Sequence, residues 1–288
     1  MIGIVLALIS AAMSGLSIVL ARKYSSGSNA FNMSLIITCV GMVILWPLAI
    51  MVTAFGSVSI EGFLFFALSG VLSPGIVRLF YYKGMRTLGA SVNSSIYSVY
   101  PLYSTLFAVM WLNEILSVWN MLGITCIVLG IIFMEMNNYR KNGQDKGRWK
   151  NIIFPVLGGL TFGVSSVIRK YALDICNTPI LGVAIGYTFA LLPYALILLS
   201  SATTRKQLKL KRDLNWFWIA GVSQAITWTL AYYALSFEQV SITTPLLSIE
   251  PLFVVAFAYF YLKKIENVTH QLLGSVILTV LGVVLIII

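Results

Sequence analysis

Two ionisable side chains, Arg78 and Glu250, stand inside long apolar stretches of the chain. Burying such a group in hydrocarbon costs roughly 2.5–3.5 kcal/mol on insertion scales, which makes it a functional candidate by default. Glu250 lies about 12 Å into its stretch at the rise of a helix, directly before Pro251. The proline removes a backbone donor and releases the carbonyl four residues earlier, that of Leu247, so a polar site is tolerable there. A carboxyl in that setting can carry a proton or bind a solute; the competing reading is a neutral, hydrogen-bonded structural carboxyl. Arg78 lies about 6 Å from the end of its stretch. It is expected either to face a solute or to snorkel to the interface.

Polar and aromatic residues extend these two points into helix faces. Asn93, Tyr97, Tyr100 and Ser104 recur at helical steps and share one face. Gln224, Trp228 and Tyr232 form a second line, one turn apart each. Such faces suit an amphipathic or aromatic solute, including cation–π contact with an amine. The alternative is an interfacial aromatic belt, which fits Tyr24, Tyr82 and Trp216 better than the deeper Tyr97, Tyr100 and Trp228. Pro101 and Pro251 mark the helix irregularities where gating is expected. Cys39, Cys126, Cys176 and the single histidine, His270, have no metal-ligand spacing. No metal, cofactor or catalytic residue set is expected, so the chain does not read as an enzyme.

The elements that must position these residues follow from composition. Of 288 residues, 59% are apolar and 10% charged, against roughly 25% charged in a soluble domain. That excludes a soluble enzyme, a disordered chain and a nucleic-acid-binding domain. A helix of about 20 apolar residues crosses a bilayer, and ten such stretches are expected: Ile2–Ala21, Met33–Phe55, Phe63–Tyr82, Val92–Leu112, Val118–Met136, Ile152–Ile168, Pro179–Ser200, Trp216–Phe237, Thr243–Leu262 and Gln271–Ile288. The runs are continuous, unlike the short alternations of barrel strands. No positive charge precedes the first stretch, and its apolar run is too long for a cleaved signal peptide.

The net charge of +10 reads as an orientation signal. All of the 19 Lys and Arg except Arg78, Arg169 and Lys170 fall in odd-numbered connections or the adjoining stretch ends. The positive-inside rule puts those connections in the cytoplasm and both termini outside. The basic segments 140–150 and 203–213 are topology determinants or contacts for anionic lipid.

The two halves of the sequence match. Arg22-Lys23-Tyr24 recurs as Arg169-Lys170-Tyr171, and Gly70 with Tyr81-Tyr82 recurs as Gly221 with Tyr232-Tyr233. The run from Tyr100 to Leu116 aligns with that from Glu250 to Glu266. Under this alignment Asn93 maps to Thr243, and Glu250 takes the place of Tyr100. An odd number of spans per copy forces opposite orientations. The expected fold is therefore all-α: ten transmembrane helices as two inverted five-helix repeats, residues 1–138 and 151–288, joined by a basic cytoplasmic linker, 139–150. Inverted repeats build the outer and inner gates of secondary transporters around a midplane site.

On these residues the chain resembles the EamA family of the drug/metabolite transporter superfamily over nearly its whole length. The resemblance is carried by the doubled five-span unit and by Pro101 and Pro251, each followed by an aromatic run to Asn113-Glu114 or Lys263-Lys264. Paired glycines in the last span of each half, Gly123 with Gly130 and Gly274 with Gly282, complete it. The family's first-span Trp-Gly reads Ser14-Gly15 and Phe162-Gly163 here. What the resemblance implies is a carrier exporting small metabolites, such as amino acids or amphipathic and cationic compounds, by alternating access. Its partners would be that solute and the lipid of the cell membrane, with no nucleic acid; the sequence does not set the oligomeric state, and a monomer is compatible with it. The alternatives are an uncoupled exchanger of sugar phosphates or nucleotide sugars, and a non-transporting scaffold.

Overall fold

The computed structural model describes residues 1–24, 30–53, 58–88, 93, 96–142, 149–206, 210–262 and 270–288. The described residues form helices and no strand, as a lipid solvent demands, because a helix satisfies its own backbone. The first half holds α1 (Ile2–Tyr24), α2 (Ala30–Val52), α3 (Ile60–Gly70), α4 (Val77–Leu88), α5 (Tyr100–Leu112) and α6 (Val118–Asn142). The second half holds α7 (Ile153–Ile175), α8 (Pro179–Ser200), the short α9 (Ala202–Lys206), α10 (Leu210–Phe237), α11 (Val240–Ser248), α12 (Glu250–Leu262) and α13 (His270–Ile287).

Local chemistry sets several of the ends. Ser59 accepts the Gly62 N–H at 3.0 Å and caps α3. Pro179 opens α8, where its missing N–H costs nothing. Asn113 takes the left-handed conformation and ends α5.

Four described stretches are long and apolar enough to cross a membrane: Ile2–Leu20, Phe31–Val52, Ile60–Tyr81 and Pro179–Ser200. Helices α7 and α10 are long enough but less apolar. The first carries Arg169 and Lys170, the second Gln224, Thr227, Thr229 and Tyr232.

Three sequence expectations change. The sixth span does not stop at Ile168 with Arg169 and Lys170 in a connection, because α7 runs on to Ile175. The helix continues because both cations find partners within the fold. Lys170 donates to the Leu235 carbonyl at 3.0 Å and pairs with Asp174 at 3.1 Å, while Arg169 turns inward. The third expected span is broken. Ser73 has extended backbone angles (φ −141°, ψ 118°) beside Pro74, which separates α3 from α4. The expected start of the linker is helical, since α6 continues to Asn142; linker residues 143–148 lie outside the described residues, as do Lys263, Lys264 and Glu266.

Helix pairings recur with the halves exchanged. α1 packs on α10, and its counterpart α7 packs on α3 and α4. α2 packs on α10 as α8 packs on α3, and α1 packs on α12 as α7 packs on α5. α2 meets α8, and α6 meets α13, joining one half to the other. Two hydrogen bonds follow the same exchange. Ser17 donates to the Ala220 carbonyl at 3.0 Å and Ser165 to the Ser69 carbonyl at 2.9 Å.

Glycines set several close crossings. A Cβ at Gly15 would stand 2.8 Å from Phe253 Cβ and 3.0 Å from the Val254 nitrogen. A Cβ at Gly163 would stand 3.0 Å from the Ser104 nitrogen. Small residues at such points let helix backbones approach. Gly123 and Gly282 do the same where α6 meets α13.

Candidate functional site

The crossings at Gly15 and Gly163 each place the residue before the glycine against the residue that opens the partner helix. At the α1/α12 crossing, Ser14 donates a hydrogen bond to the Glu250 carboxylate. At the other, Phe162 packs on Tyr100 with ring centroids 4.4 Å apart. Ser14 aligns with Phe162 and Glu250 with Tyr100, so one slot of the repeat is ionic in one copy and aromatic in the other. Glu250 is the first residue of α12, after the interruption at Ile249. Tyr100 opens α5 after a turn at Ser98–Val99.

The aromatic residues converge on this region. Tyr97 lies 5.1 Å from Tyr81, 5.4 Å from Tyr100 and 6.4 Å from Phe162, ring centre to ring centre. Phe162 continues the chain of rings to Trp228 at 6.3 Å. The Glu250 charge acts on both Tyr97 and Tyr100, and those of Arg78 and Arg169 act on Tyr97.

Arg78 is held by the protein. Its Nη1 donates to Thr38 in α2 at 3.0 Å, and it also hydrogen-bonds Tyr187 in α8. Tyr187 in turn donates to the Gln224 carbonyl at 3.2 Å. Of the expected lining residues, Tyr97, Tyr100, Trp228 and Tyr232 join one cluster with Glu250 within electrostatic reach. Gln224 contributes its carbonyl from the next turn of α10. Asn93 and Thr243 are fully buried. The Asn93 carboxamide lies against Gly84 at the end of α4.

Sequence reading missed two charged residues. Arg169 is 1% exposed, with its guanidinium 4.7 Å from the Trp228 ring centre and 4.9 Å from that of Tyr232. Its Nη2 donates to the Ser73 carbonyl at 3.4 Å and to Ser165 at 3.3 Å. The α3/α4 break therefore faces a cation, as free carbonyls at a broken helix favour. Tyr194 takes the next freed carbonyl, that of Pro74, at 3.4 Å. Glu114 is 9% exposed and accepts from the Val240 and Ser241 N–H groups and the Ser241 hydroxyl at 2.6–2.9 Å. It caps α11 across the two halves, at the positive end of the helix. Both residues lie near expected span ends, where a charge normally reports topology. Only the matching Arg-Lys pairs signalled that Arg169 belongs to a helix.

A family model describing the EamA-like transporter family matches residues 1–136 and 149–288, one copy on each half. The chain belongs to the EamA-like transporter family. The family's members are membrane transporters rather than enzymes, and the apolar helices mark this EamA protein as an integral, multi-pass membrane protein whose partners are a small molecule and lipid. A solved crystal structure superposes on it with a TM-score of 0.75 at 12% identity, covering 99% of this chain and 98% of that chain. At that identity the likeness shows the fold alone. No curated protein matches the chain.

Proposed function

We propose that this EamA protein is a secondary carrier that exports small organic solutes by alternating access. In this reading its ten helices form two inverted halves in the cell membrane, with both termini outside. Glu250 carries the coupling proton, and Tyr97, Tyr100, Trp228 and Tyr232 form the solute site. The observation that supports this best is the Ser14–Glu250 hydrogen bond at the α1/α12 crossing, beside a helix break. A carboxylate accepts from Ser14, whereas a protonated carboxyl gains a donor of its own and loses acceptor strength. Proton binding thus acts directly on a contact between two helices that belong to opposite halves. Gly15, one residue on, couples that contact to the closest backbone approach of α1 and α12. Pro101 and Pro251 hold the two helix interruptions at which such a movement can be absorbed.

An uncoupled exchanger of anionic solutes is the second reading, favoured by the buried Arg169. The two readings differ in their response to a proton gradient. Proteoliposomes loaded with an amino-acid and amine mixture are expected to release specific solutes when an inward proton gradient is imposed. Release that is equal with and without the gradient selects the exchanger. Release no faster than from protein-free liposomes contradicts both.

A further inference from the structure

We propose that Arg169 and Trp228 form the part of the solute site that reads a carboxylate. The inference deepens the carrier reading and rests on it. Arg169 is fully buried, and among the described residues it makes no ion pair. A buried guanidinium without a counter-charge is costly. Two aromatic faces and two oxygens, Ser73 O and Ser165 Oγ, offset part of that cost. Holding the α3/α4 break accounts for Nη2 alone. The Nε–H of Arg169 is buried and has no hydrogen-bond partner among the described residues, and the same is true of the Trp228 indole Nε1–H. Two orphaned donors on residues in direct contact, one of them cationic, call for an acceptor that bears negative charge.

A carboxylate matches this pair better than a phosphate. It brings one negative charge to one unpaired cation, and its two oxygens suit two separate N–H donors. The same geometry argues against an amine at these rings, because the Trp228 and Tyr232 faces already carry the Arg169 guanidinium. The rest of the solute would lie along Phe162, Tyr100 and Tyr97, with Glu250 beyond them. The site therefore selects solutes with a carboxylate at one end of an apolar or aromatic body, and an amino group toward Glu250 is compatible with it.

The test uses the full chain in proteoliposomes and four probes of one body and different charge: 3-phenylpropionate, L-phenylalanine, phenethylamine and phenyl phosphate. Wild-type protein is expected to move the first two at least about tenfold faster than the other two. R169K keeps the charge but loses the planar fork, and should lose that preference by about tenfold. W228F keeps an aromatic ring beneath the guanidinium and removes the orphaned N–H together with the pyrrole part of the indole, so it should weaken the preference several-fold while folding normally. A structural role for Arg169 would lower all fluxes together and leave the ratio between probes unchanged. An unchanged ratio in R169K and W228F, or a wild-type preference for phenethylamine or phenyl phosphate, overturns the inference. Movement of none of the four also overturns it. In that case gradient-driven release from the mixed-solute vesicles shows whether the carrier reading stands without it.

Discussion

Glu114 shows how much a single side chain can join. Its carboxylate accepts from two backbone N–H groups and one hydroxyl at the start of α11, although it follows α5 in the other half. Removing it leaves buried donors unpaired, which costs about 1–3 kcal/mol each, less where water enters. E114A should therefore lower stability by about 2–3 kcal/mol, and E114Q, which keeps one acceptor oxygen, by less. Thermal unfolding of the purified protein in detergent measures both; an unchanged midpoint in E114A would sink the capping role. At this scale the sequence was informative where a residue type was out of place. Glu250 and Arg78 stand out against apolar neighbours, and Tyr97, Tyr100, Trp228 and Tyr232 by their spacing. Arg169 and Glu114 do not, because a charge near a span end has an ordinary explanation. Ser14 and Phe162 acquire meaning only when the folded chain sets them opposite Glu250 and Tyr100.

Among the elements, the crossings at Gly15 and Gly163 are the closest test of the repeat. Each glycine opens room for the backbone just after the partner helix's proline, in one half Phe253–Val254 and in the other Tyr103–Ser104. An added methyl must push backbone apart at both, so G15A and G163A should each cost about 1–3 kcal/mol by overpacking. G274A is the control. A Cβ there meets nothing within 4 Å, and alanine is the better helix former by up to about 1 kcal/mol. Its unfolding midpoint should stay or rise. Destabilisation by G274A as large as that by G15A would contradict the packing described. Helix existence was legible from apolar runs, and the α11/α12 interruption from Pro251. The α3/α4 break was harder to see. Pro74 lies in an otherwise continuous run, and the Ser73 and Pro74 carbonyls at the break are taken by Arg169 and Tyr194 from distant parts of the chain.

For the whole molecule, the exchange of pairings between halves is the organising fact. α1 on α10 answers α7 on α3, and Ser17 to Ala220 answers Ser165 to Ser69. The internal sequence match made two like halves legible in advance, but not that their helices pair across to each other, which takes contacts distant in the chain. What breaks the symmetry is chemistry in equivalent slots, with an acid–hydroxyl pair at Glu250 and Ser14 and an aromatic pair at Tyr100 and Phe162. Arg169 and Lys170, the two exceptions to the positive-inside count, both lie inside α7 rather than in a connection. A reporter fused after Ile288 should then be active only outside the cytoplasm, and activity inside would reverse the proposed orientation. The central claim is that Glu250 couples proton binding to solute movement. Its most direct measurement is gradient-driven solute release from proteoliposomes holding wild-type protein or E250Q, with solute exchange at equal pH recorded in parallel. The account predicts that E250Q loses the response to the gradient while still exchanging solute; an E250Q protein that responds to the gradient as wild type does would contradict it.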